Sequence, residues 1–340
     1  MKIGHLDTDQ RVLVIAEIGV NHDGSIERAF QLVHQARQIG ADAVKLQIFN
    51  ADRLVHPSSR FAAYQQNRTD AVDPREMLKR YELSDQALLR IADEVRSHGL
   101  LLIATPFSPE DVPRLVGIGC DAVKIASPDL VNRLLLRHAC QTGLPLIVST
   151  GAATWDEITT AVQWLTARPI DFALLHCVSS YPTPLEEAHL VWIEELARLV
   201  KVVGYSDHTD HVLTGALAVS SGARIIEKHL TYDRHAAGPD HAASLEPEAF
   251  REYIRLIRLA EQVRGRSGRR VLPCEQDVRS VSRQGLVAKR DISSRPIEWD
   301  DLTTRRPGQG VTQTLLDRVI GHVPVRPIQT GQWIEADDVA

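Results

Sequence analysis

The chain has 340 residues, of which 44% are hydrophobic and 24% charged, the balance of a folded globular protein and not of a disordered one. Its formal net charge of -5 gives no overall attraction for nucleic acid or an acidic membrane, so an anionic ligand has to be held by a local cationic site. The polar start, Met1–Gln10, and the lack of any apolar run of membrane-spanning length make a cytoplasmic protein the expectation.

The first apolar run, Val12–Ala16, precedes a helical segment around Ser25–Gln38 that Gly40 ends as a C-cap. The second run, Ala43–Leu46, leads into a long insertion, Phe49–Leu83, which exceeds an ordinary strand-to-helix loop and is expected to shape a substrate site. Ser84 with Asp85 opens the next helix, in which Leu88, Ile91, Ala92 and Val95 share one face. Further runs follow at Leu100–Ala104, Ala122–Ile125, Leu144–Val148, Phe172–Leu175, Val202–Gly204 and Arg224–Ile226. Helix starts are read at Ser108 with Glu110 and at Thr154 with Asp156 and Glu157, and the last helix spans about Glu246 to Val263. Strand alternating with helix implies a parallel sheet. Eight repeats over about 250 residues suit a closed (β/α)8 barrel better than an open doubly wound sheet. No G-x-G-x-x-G follows the first run, which weakens a dinucleotide-binding alternative. The basic stretch Arg264–Arg270 reads as solvated linker, and the turn-rich remainder as a small β-rich domain. The expected organisation is a catalytic barrel over residues 1–265, a linker over 266–280 and a cap domain over 281–340.

Each apolar run gives way to reactive side chains. Glu17, Asn21 and His22 follow the first, Lys45 and Gln47 stand at the end of the second, Thr105 at that of the third, and Lys124 and Ser127 at that of the fourth. The later runs give way to Ser149 and Thr150, to His176, Ser179 and Tyr181, to Ser206, Asp207 and His208, and to Glu227, Lys228 and His229. The strand ends of a barrel converge on one face, which is where barrel enzymes place their chemistry. Lys45 and Lys124 would need anionic partners there, either a carboxylate such as Glu17 or a substrate carrying carboxylate and phosphate. The hydroxyls of Thr105, Ser127, Ser149 and Thr150 add donors for phosphate oxygens. His208 and His229, ending adjacent strands, suit a shared divalent metal with positions left open for substrate. His34, His98, His138 and His322 fall in helices or the tail and read as structural. Cys120, Cys140, Cys177 and Cys274 lack knuckle or disulfide spacing and read as free thiols.

Several stretches resemble the sialic acid synthase family: Ala16-Glu-Ile-Gly-Val-Asn-His22, Val44-Lys-Leu-Gln47, Ala104-Thr-Pro-Phe-Ser108, Val123-Lys-Ile-Ala-Ser127 and Ser149-Thr-Gly151. The resemblance continues through Leu174-Leu-His-Cys177, Tyr181-Pro-Thr-Pro184, Gly204-Tyr-Ser-Asp-His-Thr209, Glu227-Lys-His229 and Gly238-Pro-Asp240. In the tail, Arg305-Arg-Pro-Gly308 resembles the family's antifreeze-like cap, or SAF, domain, a β-clip fold. The start Ala16-Glu-Ile-Gly is closer to the sialic and legionaminic acid branch than to the pseudaminic branch. Pro128, Asp129 and Ser179 depart from the residues common in the family.

The resemblance implies condensation of phosphoenolpyruvate (PEP) with an N-acylated aminosugar in its open aldehyde form, giving a nonulosonic acid, N-acetylneuraminate or legionaminate, and phosphate. It implies PEP held by Lys45, Thr105, Lys124, Ser127, Ser149 and Ser206, and a divalent metal, Mn2+ or else Mg2+ or Co2+, on His208 and His229. Glu17, Gln47, Tyr181 and Asp240 are placed by the same resemblance near the reacting centre or the sugar, with Ser179 as a sugar contact. Arg306 is implied to reach from the cap of one subunit into the partner's site, which makes a domain-swapped homodimer the expectation. The segment Phe61-Ala-Ala-Tyr-Gln65 is expected to help choose the acyl groups. The alternatives are a synthase for another nonulosonate such as pseudaminate, a non-catalytic sugar- or surface-binding relative, and a generic metal-dependent barrel enzyme.

Overall fold

The computed structural model describes residues 1–61, 71–265, 267–308 and 310–339. Residues 62–65 of the expected acyl-selecting segment, and residue 266 of the basic stretch, therefore lie outside the described residues. Two compact units make up the chain, Met1–Gly265 and Arg266–Ala340.

In the first unit eight parallel strands close into a barrel. They are β1 (Leu13–Glu17), β2 (Ala43–Ile48), β3 (Leu101–Pro106), β4 (Ala122–Ile125), β5 (Leu146–Ser149), β6 (Phe172–Cys177), β7 (Val203–Asp207) and β8 (Ile225–His229). β8 pairs with β1, with His229 opposite Glu17, and this pairing closes the ring. Helices follow the strands in turn: α1 (Ile26–Ile39), α2 (Asp85–Ser97), α3 (Val112–Gly117), α4 (Arg133–Gln141), α5 (Trp155–Thr166), α6 (Trp192–Leu196), α7 (Thr214–Ser220) and α8 (Pro247–Arg264). Local chemistry sets their ends. The Ser25 side chain accepts from Arg28 N at the start of α1, and Gly40 closes it at φ 87°. Ser84 caps α2 through Ala87 N, and Thr154 forms a capping box with Glu157 at the head of α5. Ser108 precedes a helical turn, Pro109–Asp111, that runs directly into α3, and its hydroxyl bonds the Asp111 carboxylate.

The strands alternate with period two. Outward residues such as Val14, Val44, Leu102, Val123 and Val148 pack against the helices in one large core. Inward residues, Leu13, Ile15, Ala43, Leu101, Ile103, Ala122, Ile147 and Leu175, fill the lower half of the barrel. A hairpin pairing Lys2–Ile3 with Leu6–Asp7 lies across the bottom, and its Ile3 and Leu6 join that inner core. The barrel floor is thus solid, and polar inward side chains begin only toward the C-terminal ends of the strands.

In the second unit, helix α9 (Gln276–Ser282) precedes an antiparallel pair, β9 (Gly285–Ala288) and β10 (Leu302–Arg305). Bridges Val287 to Trp333 and Ile292 to Ile328 fold the rest around a small core of Leu286, Ile292, Ile297, Val311, Val319 and Ile334. Among the described residues no helix is long and apolar enough to cross a membrane.

Candidate active site

A cavity of about 370 Å³ opens at the C-terminal end of the barrel. Lys45, Gln47, Thr105, Lys124, Ser127, Ser149, Ser179, Tyr181, Ser206, His208, His229 and Asp240 all line it. Glu17 lies just behind, fully buried and in direct contact with the Lys45 ammonium. The alternation of the strands explains the convergence: Glu17, Lys45, Thr105, Lys124 and Ser149 each stand two places beyond an inward apolar residue, and Gln47 and His229 two places beyond the inward Lys45 and Glu227. Arg306 belongs to the second unit, where its side chain is exposed just after β10.

The deepest part is a tetrad of charges. Lys45 Nζ touches Glu17, lies 3.8 Å from Glu227 Oε1 and donates to Thr105 Oγ1 at 3.0 Å. Lys124 Nζ lies 3.6 Å from Glu227 Oε2, and Ser206 Oγ donates to Glu227 Oε1 at 2.8 Å. Burial opposes the ammonium of Lys45, but Glu17 and Glu227 outweigh it and raise its pKa. Burial lowers the pKa of Lys124 against the pull of Glu227. Burial pushes the Glu17 carboxyl up, with Lys45 opposing. Burial also works against the Glu227 carboxylate, yet Lys124 and Lys45 hold its pKa down at about 2.

Glu17 is fixed by more than its lysine. Its Oε1 accepts from Gly19 N and lies 3.4 Å from Gln47 Nε2. A Cβ at Gly19 would fall 2.2 Å from Glu17 Oε1 and 2.5 Å from Gln47 Cγ, so any side chain there would displace both. Ser127 Oγ accepts from Gly151 N at 2.9 Å, whereas the buried Ser149 hydroxyl has no partner among the described residues.

The two histidines stand face to tilted face, with ring centroids 5.7 Å apart. His208 Nδ1–H donates to the Val178 carbonyl at 2.9 Å, which leaves Nε2 for a ligand. His229 Nδ1 is buried with no hydrogen-bond partner among the described residues and lies 3.7 Å from Asp240 Oδ2. Burial drives the pKa of His229 well below the usual histidine range, so its imidazole is neutral, the form that binds metals. Burial, then Glu17, pushes the Asp240 carboxyl up to about 6. The Tyr181 ring lies over His208 with centroids 4.1 Å apart. Two imidazoles, that of His229 neutral, with a carboxylate and an orphaned ring nitrogen, fit a divalent ion.

The opposite wall is apolar. Phe49, Leu54, Met77 and Leu78 from the long insertion meet Val20 and Phe107 there, and Phe49 packs edge-on to Phe107. The insertion folds partly as helical turns, Ala51–Leu54 and Pro74–Lys79.

Some strand-end residues face the other way. Asp207 and Lys228 point into the helix layer, where Asp207 meets Thr214 of α7 and Tyr253 of α8. His176 also faces outward, stacked on Tyr205 and bonded to the Ala188 carbonyl. A strand end alone does not fix the face; the parity of the position does. The same parity reveals a residue to which the sequence reading gave no role, Glu227, two places before His229. Cys177, grouped in the sequence with the free thiols, faces the cavity with Sγ 3.7 Å from His208 Nδ1. Asp23 and His241 also escaped notice. His241 Nε2 bonds Asp23 at 3.0 Å and Tyr232 OH bonds it at 2.8 Å, which ties the loop carrying Asp240 to the loop after β1.

The sequence model of the NeuB family matches residues 32–269, and that of the SAF domain matches residues 283–340. The chain is 36% identical over 318 residues to the N,N'-diacetyllegionaminic acid synthase of Legionella pneumophila, spanning 91% of this chain and 89% of that one. It is 33% identical over 331 residues to the N,N'-diacetyllegionaminic acid synthase of Campylobacter jejuni, spanning 96% of this chain and 99% of that one. Among solved structures it is similar to the N-acetylneuraminic acid synthetase of Leptospira borgpetersenii in complex with citrate. The TM-score is 0.73 and the identity 31%, over 82% of this chain and 94% of that one.

Proposed function

The chain belongs to the NeuB family, and from that premise we propose that it condenses phosphoenolpyruvate with an N-acylated mannosamine-type aldehyde to give a nonulosonic acid and phosphate. The observation that carries the reading is the convergence on one cavity of two buried lysines, a row of hydroxyls and a pair of imidazoles.

Lys45 and Lys124, with Thr105, Ser127, Ser149 and Ser206, hold the carboxylate and phosphate of PEP. The unpartnered hydroxyl of Ser149 is a donor still waiting for an acceptor. The lysines are already matched by Glu17 and Glu227, so a multiply anionic ligand calls for added positive charge. His208 and His229 would hold a divalent ion, Mn2+ or else Mg2+ or Co2+, which when bound supplies Lewis-acid polarisation of the aldehyde. The PEP methylene carbon bonds to the aldehyde carbon, and positive charge develops at the central carbon of PEP. Glu17, held by Lys45 and Gly19, stabilises that charge and orients the water that adds there. Phosphate then leaves with the bridging oxygen. Gln47 and Asp240 position the reacting aldehyde, and Ser179 and Tyr181 contact the sugar. Fixing both substrates in one pocket removes much of the entropic barrier.

The apolar wall of Val20, Phe49, Leu54, Met77, Leu78 and Phe107 favours a sugar bearing methyl groups where others bear hydroxyls. That supports a 2,4-diacetamido-6-deoxy aldehyde, and hence a legionaminate product, over N-acetylmannosamine. Arg306 would complete the partner's site in a domain-swapped homodimer, with the enzyme working in the cytoplasm.

The test is phosphate release from PEP with Mn2+ and each sugar in turn. Release with the diacetamido sugar, and much less with N-acetylmannosamine, is the expected result. The reverse preference would make the product N-acetylneuraminate. Release with neither, in folded protein, would overturn the reading and bring pseudaminate precursors forward.

A further inference from the structure

Among the described residues, one set of three histidine, cysteine or carboxylate ligands converges, and it lies on the outer helices of the barrel. His34 belongs to α1, Glu94 to α2, and His98 follows at the end of α2. His34 Nε2 lies 2.6 Å from Glu94 Oε1, and His98 Nε2 lies 3.2 Å from the same oxygen. The two rings meet edge to face with centroids 4.5 Å apart.

Two imidazole nitrogens sharing one carboxylate oxygen is a crowded way to pair three side chains. It is a natural way to surround an ion. A tetrahedral zinc with bonds of about 2.0–2.1 Å sets its ligand atoms about 3.3 Å apart. All the ligand atoms here lie within 4.8 Å of one another; the His98–Glu94 separation falls just below that ideal spacing, and the half-exposed His34 ring, now at hydrogen-bond distance, has room to back away from Glu94 around an ion. The backbone is stiff where this matters. Glu94 and His98 stand one helical turn apart, and α1 and α2 share a core through Val33, Ala36, Ile91 and Val95. His34 is half exposed, so an ion and a completing water have free access.

We propose that His34, Glu94 and His98 form a second metal site, for one borderline divalent ion such as Zn2+, that clips α1 to α2. Two nitrogens and one oxygen select against Mg2+ and Ca2+, which prefer all-oxygen shells. The site is independent of the mouth, and α2 begins where the long insertion that walls the cavity ends.

The experiment is calorimetric titration of Zn2+ into chelator-treated full-length protein, in a His208→Ala/His229→Ala background that removes the imidazole pair of the mouth. One equivalent is expected to bind, and adding His34→Ala or His98→Ala should weaken it about 100-fold. Excess Zn2+ should raise the thermal midpoint, and this rise should vanish in the same variants. Should the background variant fail to fold, wild type is compared with His34→Ala/His98→Ala, which should take up one equivalent fewer. No binding in the folded background, or binding and stabilisation untouched by loss of His34 and His98, would overturn the proposal. Neither outcome depends on whether the mouth performs the proposed condensation.

Discussion

Glu227 and Lys228 are neighbours in β8, both buried, and they face opposite sides of the same sheet. Lys228 looks outward. Its ammonium donates to the Thr209 carbonyl and pairs with Asp207 at 3.3 Å. Asp207 in turn accepts from Thr209 N and Oγ1, Thr214 Oγ1 and Tyr253 OH. That network is saturated, as a pair must be to survive in a helix–strand layer. Glu227 looks inward, toward two lysines at 3.6 and 3.8 Å and a cavity into which Ser149 turns an unpartnered hydroxyl. Burial and charge are alike on the two faces. What separates architecture from chemistry is whether the hydrogen-bonding capacity is spent.

The sharpest test of the contrast is on the inner face. Lys124→Ala should cut kcat/KM for PEP by about 1,000-fold, with a much smaller change in the KM for sugar. Equal losses for both substrates would remove the lysine from the PEP site. On the outer face, Asp207→Asn should leave the KM for PEP unchanged and cost about 3 kcal/mol in urea unfolding, because it strands a buried ammonium. A variant that keeps its stability but loses activity would invert the contrast.

The small domain offers a third case. Asp301 is buried and accepts from Arg290, from both terminal nitrogens of Arg295 and from Glu298 N. These bonds, those of Arg295 foremost, hold its pKa well below the usual carboxylate range. A depressed folded pKa contributes stability that is present above about pH 4, the unfolded value, and is lost as the pH falls below it. Asp301→Asn should flatten that acid dependence and cost about 1–2 kcal/mol at neutral pH, the half-exposed arginines limiting the effect. An unchanged acid melt would show the network to be idle. The smallest effect is expected at Ser149. Ser149→Ala should leave unfolding unaltered and raise the KM for PEP about tenfold, since that hydroxyl has no partner among the described residues.

Much of this was legible in the sequence, and the misses have physical causes. Ala122–Ile125 is apolar but for the inward Lys124, and the strand takes those bounds. Elsewhere the strands run on past the apolar residues, to Glu17, Ile48, Pro106, Cys177, Asp207 and His229. Hydrophobicity ends where the cavity begins, but the sheet hydrogen bonds continue, so apolar runs understate strands that carry functional groups. Lys45 and His229 were found because they end such runs on inward positions. Asp207, His176 and Lys228 were misplaced because strand ends were counted without parity. Glu227 was given no role because its partners, Lys45 and Lys124, come from strands remote in sequence. The His34–Glu94–His98 cluster was passed over as structural because its halves lie sixty residues apart, on helices whose packing only the fold reveals.

The hairpin of Lys2–Asp7 beneath the barrel has a bearing on traffic. With Ile3 and Leu6 corking the floor, the described residues leave the vessel its doorway at the upper end. Whatever occupies the innermost berth, beside the lysines, must arrive before any later guest and can depart only after it. Residence order is thereby written into the plumbing, and the occupant of the outer berth becomes the gatekeeper of every turnover.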